Sequence, residues 1–295
     1  MNPAATTDAL EAGRTIEVAG LRTHLHEAGE GPPLLLLHGS GPGVSAWANW
    51  RPIIGDLAQS FYVIAPDQVG FGGTQSRPDG RYGRAVWTEH ALALLDTLGL
   101  ERVSVIGNSM GAAIALSLAA SRPVAIDRIV LMGALGVRFP LPDGLDRVWG
   151  YTPDHVERMR ELIELFAYDA SIVTDDLVRM RYEQSLDPER RASYEAMFPA
   201  PRQRWLDDLA LDEDTLANIT QPTLLVHGFN DVVVPKESTL RLMEVLPNAD
   251  ADLIGRCGHW VQIEQTQKFM DIVRSFLAAV RGRGTSTLKK EVGIW

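Results

Sequence analysis

Residues 103–116 read VSVIGNSMGAAIAL and join a buried strand, a serine flanked by glycines and a buried helix. Residues 103–106 are a short apolar run, typical of a strand inside a parallel sheet. Residues 109–120 are apolar almost all round, as expected of a helix packed against that sheet. Ser109 therefore stands at a tight strand-to-helix turn, where adjacent glycines relieve crowding of the backbone. We predict that Ser109 is a nucleophile presented at the carboxyl end of a strand.

Similar apolar runs and helical patterns alternate along the rest of the chain. The further predicted strands are residues 34–37, 61–65, 129–132, 223–226 and, more weakly, 251–254. The further predicted helices are residues 88–98, 238–246 and 266–280. Residues 15–26 are broadly extended, with Gly20 as a turn between two short strands. This alternation predicts a mostly parallel central sheet with helices on both faces, and with the serine turn it indicates the α/β-hydrolase fold.

One region, residues 139–207, interrupts the alternation. It has no strand-like run, and its helical segments are rich in Arg, Glu and Met and separated by prolines. We predict a helical lid here, inserted into a core formed by residues 1–138 and 208–280. An additional packing layer is the alternative. Residues 281–295 contain Gly, Thr, Ser and Lys, and we expect a mobile tail.

Composition limits the environment and the partners of the protein. Apolar residues make up 45% and charged residues 22%, which is ordinary for a globular protein. The net charge of −10 argues against nucleic acid or an anionic membrane as partner. The longest apolar runs are far shorter than the roughly 20 residues that span a bilayer. No signal-peptide pattern is visible, and the single cysteine, Cys257, permits a reducing compartment. We therefore expect a cytoplasmic protein. No metal-binding motif is visible, and we expect no cofactor.

A serine nucleophile needs a base and an acid, which follow it in the order acid, then base, in this architecture. His259 is the only histidine after the last predicted strand, so we predict that it is the base. Asp231 follows the strand at residues 223–226, and we predict that it orients the imidazole. Asp250 and Asp252 are alternatives for the acid, but they lie before or within the last predicted strand.

The glycine-rich sequence HGSGPG, residues 38–43, follows the strand at residues 34–37. Its spacing fits neither the dinucleotide fingerprint nor the P-loop, so it does not indicate a phosphate site. We predict instead that it completes an oxyanion hole, with the backbone N–H groups of Ser40 and Met110 as donors. One such donor typically contributes ~3 kcal/mol to transition-state stabilisation.

Several segments resemble the meta-cleavage product hydrolases, which are carbon–carbon bond hydrolases of bacterial aromatic degradation. They are HGSGPGVSAWANW at 38–50, GNSMG at 107–111, YDASIVTDDLVRMR at 168–181 and GRCGHWVQIEQ at 255–265. The resemblance extends over residues 16–280. Within the predicted lid, MFPAPRQRW at 197–205 is most similar to the branch that acts on 2-hydroxymuconic semialdehyde and its alkyl analogues.

The resemblance implies both a reaction and a set of substrate contacts. A 2-hydroxy-6-oxo-hexa-2,4-dienoate is ketonised and its C5–C6 bond is hydrolysed, giving 2-hydroxypenta-2,4-dienoate and a small carboxylic acid. The implied partner is this small molecule alone, and the implied assembly is a homo-oligomer. The implied substrate-binding residues are Gly39, Gly41, Asn49, Asn108, Phe166, Arg181 and Trp260.

The chemistry of these residue types suits such a substrate. A guanidinium binds a planar carboxylate through two parallel hydrogen bonds, and an asparagine can both donate and accept as an enol becomes a ketone. Arg179 lies two residues from Arg181 and is equally available on composition. Met197, Phe198 and Trp205 are large, so we expect them to fill the acyl pocket and to favour small groups at C6.

Other functions remain compatible with the same motifs. A serine esterase or lactonase of this fold would have an identical triad, and a ligand receptor with residual hydrolysis belongs to a different class altogether. Haloalkane dehalogenases and epoxide hydrolases are disfavoured, because they carry aspartate at the turn where Ser109 stands. The sequence leaves open whether Ser109 forms an acyl-enzyme or assists the attack of water.

Overall fold

An eight-stranded sheet forms the centre of the computed structural model, which describes residues 7–278. The strands are Arg14–Val18 (β1), Leu21–Ala28 (β2), Pro33–Leu37 (β3), Tyr62–Pro66 (β4), Val103–Asn108 (β5), Ile126–Met132 (β6), Thr223–Gly228 (β7) and Ala249–Ile254 (β8). Their order in the sheet is β1-β2-β4-β3-β5-β6-β7-β8. The β1–β2 and β2–β4 pairs are antiparallel, and all the other pairs are parallel. The prediction of a mostly parallel sheet is confirmed.

Helices connect most of these strands. They are Thr7–Ala12 (α1), Ala46–Trp50 (α2), Ile54–Leu57 (α3), Arg84–Thr97 (α4), Met110–Ser121 (α5), Asp143–Trp149 (α6), Val156–Glu164 (α7), Asp175–Leu186 (α8), Pro188–Met197 (α9), Gln203–Leu209 (α10), Glu213–Ala217 (α11), Lys236–Val245 (α12), Val261–Glu264 (α13) and Thr266–Ala278 (α14). The predicted helices correspond to α4, α5, α12 and α14. The short helices α2, α3 and α13 have at most five residues, too few for a helical period to appear in the sequence.

The sheet has one apolar core on each face, as the alternation of side chains along β3 shows. Leu35 and Leu37 belong to one core cluster, whereas Leu34 and Leu36 belong to the other. Helix α5 is buried almost all round within the first cluster, and Phe269 of α14 packs in the second. This burial on both faces explains why the parallel strands are continuous apolar runs.

In the described chain no strand lies between β6 and β7, and the regular elements there are helices, among them α6 to α10. The starts of two of them are encoded locally. The Thr174 hydroxyl accepts from the N–H of Leu177 at the start of α8, and the Asp187 carboxylate accepts from the N–H of Arg190 at the start of α9. The boundaries of the predicted core and lid stay a prediction, and the predicted tail at 281–295 lies outside the described residues. Within residues 7–278, no helix has both the length and the apolar content needed to cross a membrane.

Candidate active site

Ser109 occupies a strained turn between β5 and α5. Its φ is 55° and its ψ is −115°, a conformation that non-glycine residues rarely adopt. The flanking glycines make this turn possible, because a β-carbon at Gly111 would overlap the Leu37 carbonyl and one at Gly107 would overlap the Gly111 carbonyl. The Ser109 N–H donates to the Met132 carbonyl at 2.9 Å, which fixes the turn against β6.

The predicted base and acid are joined directly. His259 Nδ1 lies 2.6 Å from Asp231 Oδ2, and the Asp231 side chain has no exposed surface. The other carboxylate oxygen accepts from the N–H groups of Val233 at 2.8 Å and Val234 at 2.9 Å. Burial by itself would raise the pKa of Asp231, but the facing His259 and the hydrogen bonds from the two neighbouring imidazoles hold that pKa well below its usual range. The carboxylate is therefore an anion at neutral pH, and its hydrogen bond fixes the orientation of the His259 ring.

A second histidine contacts the same carboxylate, and sequence reasoning missed it. The His227 ring is fully buried, with Nε2 at 3.3 Å from Asp231 Oδ2 and 3.0 Å from the Val234 carbonyl. A carbonyl only accepts, so Nε2 carries the proton, and Nδ1 accepts from the Thr239 hydroxyl at 2.8 Å. The signal available in the sequence was its position at the end of β7, four residues before Asp231.

The loop that carries His259 is held by the helical segment between β6 and β7. The carbonyl oxygen of Phe166 accepts from the N–H of His259 at 2.8 Å and from the N–H of Trp260 at 3.2 Å. The rings of Phe166 and Trp260 stack at 4.9 Å between centroids, with an interplanar angle of 3°. A β-carbon at Gly258 would come within 2.7 Å of the Phe166 carbonyl oxygen, so this approach requires glycine.

A small cavity of about 20 Å³ lies at the centre of the site. It is lined by Gly39, Ser40, Gly41, Val44, Asn49, Asn108, Ser109, Leu145, Val148, Phe166, Arg181, Val233, His259 and Trp260. Apart from Met110 and Asp231, every predicted site residue lies on this lining. Among the described residues, no hydrogen bond joins the Ser109 hydroxyl to His259, and catalytic hydrogen bonds of this kind often tighten only when substrate binds. A cavity of this size holds about one water molecule, so a larger ligand requires the walls to move.

The cavity contains two buried donors without an acceptor. Arg181 is 5% exposed, and although its Nη1 donates to the Pro42 carbonyl at 3.2 Å, its Nε has no partner. The side-chain nitrogen of Asn49 is also unpartnered. Burial, with the charge of Arg51, lowers the pKa of Arg181 to about 10, so the guanidinium is still a cation at neutral pH. In the described part of the chain no carboxylate forms an ion pair with it, whereas Arg179 is exposed.

The remaining predicted contacts lie around the serine. A β-carbon at Gly39 would be 3.2 Å from Ser109 Cβ and 3.3 Å from the side-chain oxygen of Asn108, whose amide nitrogen donates to the Met132 carbonyl at 3.2 Å. The Ser40 hydroxyl accepts from the indole N–H of Trp149 at 2.9 Å. Met110 is the first residue of α5, so its N–H belongs to the unpaired donors at a helix start.

Three side chains predicted to fill the acyl pocket do not line this cavity. Met197, Phe198 and Trp205 are absent from the cavity lining, whose aliphatic side chains are Val44, Leu145, Val148 and Val233. Phe198 stacks on Trp149, with 4.5 Å between ring centroids. The indole N–H of Trp205 donates to the Pro199 carbonyl at 2.8 Å, outside the site.

Comparisons with known proteins identify the family to which the chain is similar. The family described as having the alpha/beta hydrolase fold matches residues 32–266. The chain is 47% identical to a 2-hydroxymuconate semialdehyde hydrolase of Pseudomonas sp. strain CF600, over 91% of this chain and 94% of the relative. It is 49% identical to a 2-hydroxy-6-oxo-2,4-heptadienoate hydrolase of Pseudomonas putida strain F1, over 91% of this chain and 97% of the relative.

A solved structure leads to the same family. It is a serine-to-alanine mutant of a meta-cleavage product hydrolase from Pseudomonas fluorescens IP01, with a TM-score of 0.89 and 47% sequence identity. The match covers 91% of this chain and 98% of that one. With the serine turn, the Asp231–His259 pair and these similarities in place, the chain belongs to the meta-cleavage product hydrolases, carbon–carbon bond hydrolases with the α/β-hydrolase fold.

Proposed function

We propose that this protein hydrolyses the C5–C6 bond of 2-hydroxy-6-oxo-hexa-2,4-dienoates with hydrogen or a small alkyl group at C6. The products are 2-hydroxypenta-2,4-dienoate and a small carboxylic acid. The observation that carries the proposal is the buried cation of Arg181, which has no carboxylate partner among the described residues and shares a cavity with Ser109 and His259. Relatives that are 44–49% identical are named for such substrates.

Arg181 and Asn49 bind the charged end of the substrate in this proposal. An unpaired buried charge is costly, so a site that keeps one is suited to a ligand that brings the opposite charge. The guanidinium and the Asn49 amide supply donors for the carboxylate and the 2-oxygen, and the Asn108 amide lies beside them. Gly39, Gly41, Phe166 and Trp260 complete the walls around the dienoate. A neutral ester would leave Arg181 unpaired, which favours the dienoate over the esterase alternative.

His259 moves the protons of the reaction. It removes the proton of the 2-hydroxyl group, and C5 gains a proton, so the dienol becomes a ketone. Asp231 stabilises the imidazolium that forms. The C6 carbonyl is then attacked either by the Ser109 oxygen or by a water molecule that Ser109 and His259 deprotonate.

The oxyanion that forms at C6 is bound by the N–H groups of Ser40 and Met110. When it collapses, the C5–C6 bond breaks and its electron pair moves into the dienolate of 2-hydroxypenta-2,4-dienoate. The Arg181 cation stabilises that dienolate. Water supplies the second oxygen of the released acid, and no further reactant is needed.

The size of the C6 group is set by Leu145, Val148 and Val233 in this proposal. These side chains leave about 20 Å³ of free volume at the site. Hydrogen or a methyl group needs little displacement of this wall, whereas a phenyl ring has to force it apart. We also propose that residues 139–207 act as the lid of a core formed by 1–138 and 208–280, and that the enzyme is a cytoplasmic homo-oligomer of aromatic hydrocarbon catabolism.

The decisive experiment compares two substrates on one enzyme preparation. A yellow 6-methyl ring-fission product is added, and the loss of its visible absorbance is followed beside the hydrolysis of a neutral aryl ester. We expect kcat/KM for the dienoate to exceed that for the ester by several orders of magnitude. Faster use of the ester would favour the esterase alternative, and Ser109→Ala controls for hydrolysis by contaminants.

A further inference from the structure

A second cluster of polar side chains lies outside the triad cavity. His24 and His26 are on β2, where residues two apart point to the same face, and Asp67 follows β4, the neighbour of β2 in the sheet. One nitrogen or oxygen atom from each of the three side chains lies within 4.8 Å of the other two. Among the described residues, no other group of three or more His, Cys, Asp or Glu side chains is this close. None of the three lines the triad cavity.

Hydrogen bonds to α1 fix the orientation of both rings. His24 Nε2 lies 2.9 Å from the Ala12 carbonyl, and His26 Nδ1 lies 2.8 Å from the Leu10 carbonyl. Since carbonyls only accept, these two nitrogens carry protons, which is the arrangement usual for histidines that bind a metal through the other nitrogen. The nitrogens left over are His24 Nδ1, which faces Asp67 Oδ2 at 2.9 Å, and His26 Nε2, which has no hydrogen-bond partner.

The remaining nitrogen of His26 has no partner. His26 is 1% exposed, and its Nε2 is buried without a hydrogen bond. A buried acceptor left unpaired has lost its bonds to water without a replacement, so it destabilises the fold unless a ligand pairs with it. A network that served only to hold α1 would not need this atom, because the bond to the Leu10 carbonyl already uses the other side of the ring.

Asp67, the third member of the cluster, is buried and held by backbone hydrogen bonds. It is 1% exposed, and its two carboxylate oxygens accept from the N–H of Ala46 at 2.6 Å and the N–H of Gly73 at 2.8 Å. Its Oδ2 lies 2.9 Å from His24 Nδ1, so this contact needs positive charge between the two atoms. A second proton on His24, whose pKa the hydrogen bond with Asp67 raises, or a metal cation can supply that charge.

The ligand set and the surrounding space fit a transition-metal ion. Two imidazoles and one carboxylate form a set that Zn²⁺ binds in a tetrahedral arrangement, whose ligand atoms are about 3.4 Å apart. The three donor atoms lie within 4.8 Å of one another, so shifts of about 1 Å in the ring and backbone positions would bring them to that spacing. A cleft of about 370 Å³ borders the cluster and is also lined by Trp47, Gln184 and Arg190. It gives water a route to the remaining coordination position.

We propose that His24, His26 and Asp67 bind a divalent transition-metal ion of the Zn²⁺ class, with water from the cleft as the further ligand. The ion links α1, through the two histidines, to the loop that follows β4. It also fixes Asp67, whose carboxylate holds the N–H of Ala46 at the start of α2, the helix that carries Asn49. The site is separate from the proposed hydrolysis and does not depend on it.

The test is a titration of the full-length protein, freed of metal with a chelator and dialysed, with Zn²⁺ by calorimetry. We expect one site in the unaltered protein and a loss of affinity of at least about 100-fold in His26→Gln and in His24→Gln, since even removing an outer-shell partner weakens binding 10–100-fold. His155→Gln is the matched control, because His155 is exposed and lies outside the cluster. Equal binding by His26→Gln and the unaltered protein would overturn the proposal.

A second measurement needs no variant and covers the case in which a substitution prevents folding. Crystals of the unaltered protein soaked in Zn²⁺ are measured at the zinc absorption edge. We expect an anomalous peak within bonding distance of His24 Nδ1, His26 Nε2 and Asp67. Anomalous density only elsewhere, or none, would mean that the cluster is a hydrogen-bond network alone.

Discussion

Gly133 lies against the imidazole of His259, so that a β-carbon at Gly133 would be 2.8 Å from His259 Cε1 and 2.9 Å from Nδ1. The φ of Gly133 is 52°, and its N–H donates to the Val226 carbonyl at 3.1 Å. The lack of room beside the His259 ring and the positive φ therefore both require glycine at position 133. Sequence reasoning did not identify this residue, because an isolated glycine after a strand looks like an ordinary turn.

Replacing Gly133 by alanine should displace the base without removing it. We expect kcat for a dienoate to fall about 100-fold, because a shift of about 1 Å in a catalytic group can cost that much, while KM changes less. Gly55→Ala is the matched control, since nothing lies within 4 Å of a β-carbon at Gly55. Steady-state kinetics on both variants, with circular dichroism to confirm folding, check this, and an unchanged kcat in Gly133→Ala would contradict it.

Rapid kinetics should distinguish the role of Ser109 from that of His259. Ser109→Ala should lower hydrolysis by several orders of magnitude and leave substrate binding intact. His259→Ala should slow ketonisation as well as cleavage, so stopped-flow spectra should show the dienol persisting. Fast ketonisation in His259→Ala would mean that another group moves the first proton.

Arg181 and Arg179 offer a matched pair for testing recognition of the carboxylate. Arg181→Gln should raise KM and lower kcat for dienoates, since losing a buried charge-assisted pair typically costs ~2–5 kcal/mol, and it should alter hydrolysis of a neutral aryl ester far less. Arg179→Gln should resemble the unaltered enzyme, because Arg179 is exposed.

The melting temperature of free Arg181→Gln should not fall, because the substitution removes a buried charge for which the described residues supply no carboxylate. Differential scanning calorimetry without ligand checks this point. A dienoate defect in Arg179→Gln instead would show that the other arginine binds the carboxylate.

The wall of the acyl pocket should decide the C6 preference. We expect kcat/KM for the 6-phenyl substrate to be well below that for the 6-methyl substrate, while formyl, acetyl and isobutyryl groups differ more modestly. Val148→Ala should raise the phenyl-to-methyl ratio, because Val148 lines the cavity. Val178→Ala is the control, since Val178 is equally buried but away from the cavity. Equal use of phenyl and methyl substrates by the unaltered enzyme would refute the small-group assignment.

His90 should make the fold sensitive to acid. Burial lowers the pKa of His90 to about 4 from its ordinary 6.5, so the unfolded chain binds the proton first as the pH falls. The stability that neutral His90 contributes is complete above about pH 6.5 and is lost progressively down to about pH 4. The shift corresponds to roughly 3 kcal/mol.

Urea unfolding at several pH values tests the contribution of His90. His90→Gln should show a smaller loss of unfolding free energy between pH 6.5 and pH 4 than the unaltered protein. His155→Gln, at an exposed position, should follow the unaltered protein. Identical pH dependence in all three proteins would exclude His90 as the cause.

The sequence predicted those features that depend on local pattern. The strands around residues 34–37 and 223–226 were recognisable because burial on both faces leaves no polar alternation. Ser109 and His259 were recognisable because their turn, glycines and chain order are themselves short motifs. The acyl pocket was not, because the direction of the Phe198 side chain depends on Trp149, a partner distant in sequence. The contact between His227 and Asp231 was missed for a similar reason, since it depends on how the loop after β7 folds back.

The hydrogen bonds from His259 and Trp260 to the Phe166 carbonyl have a consequence for engineering. Because the acceptor is a main-chain atom, no side-chain substitution deletes it, and only displacement of the segment breaks it. Any displacement of that segment would therefore also release His259 from its present position. The segment that carries Phe166 could be exchanged between relatives to change substrate selectivity. We expect such a chimaera to retain turnover only where the exchanged segment restores the position of the Phe166 carbonyl, even if its side chains suit the new substrate.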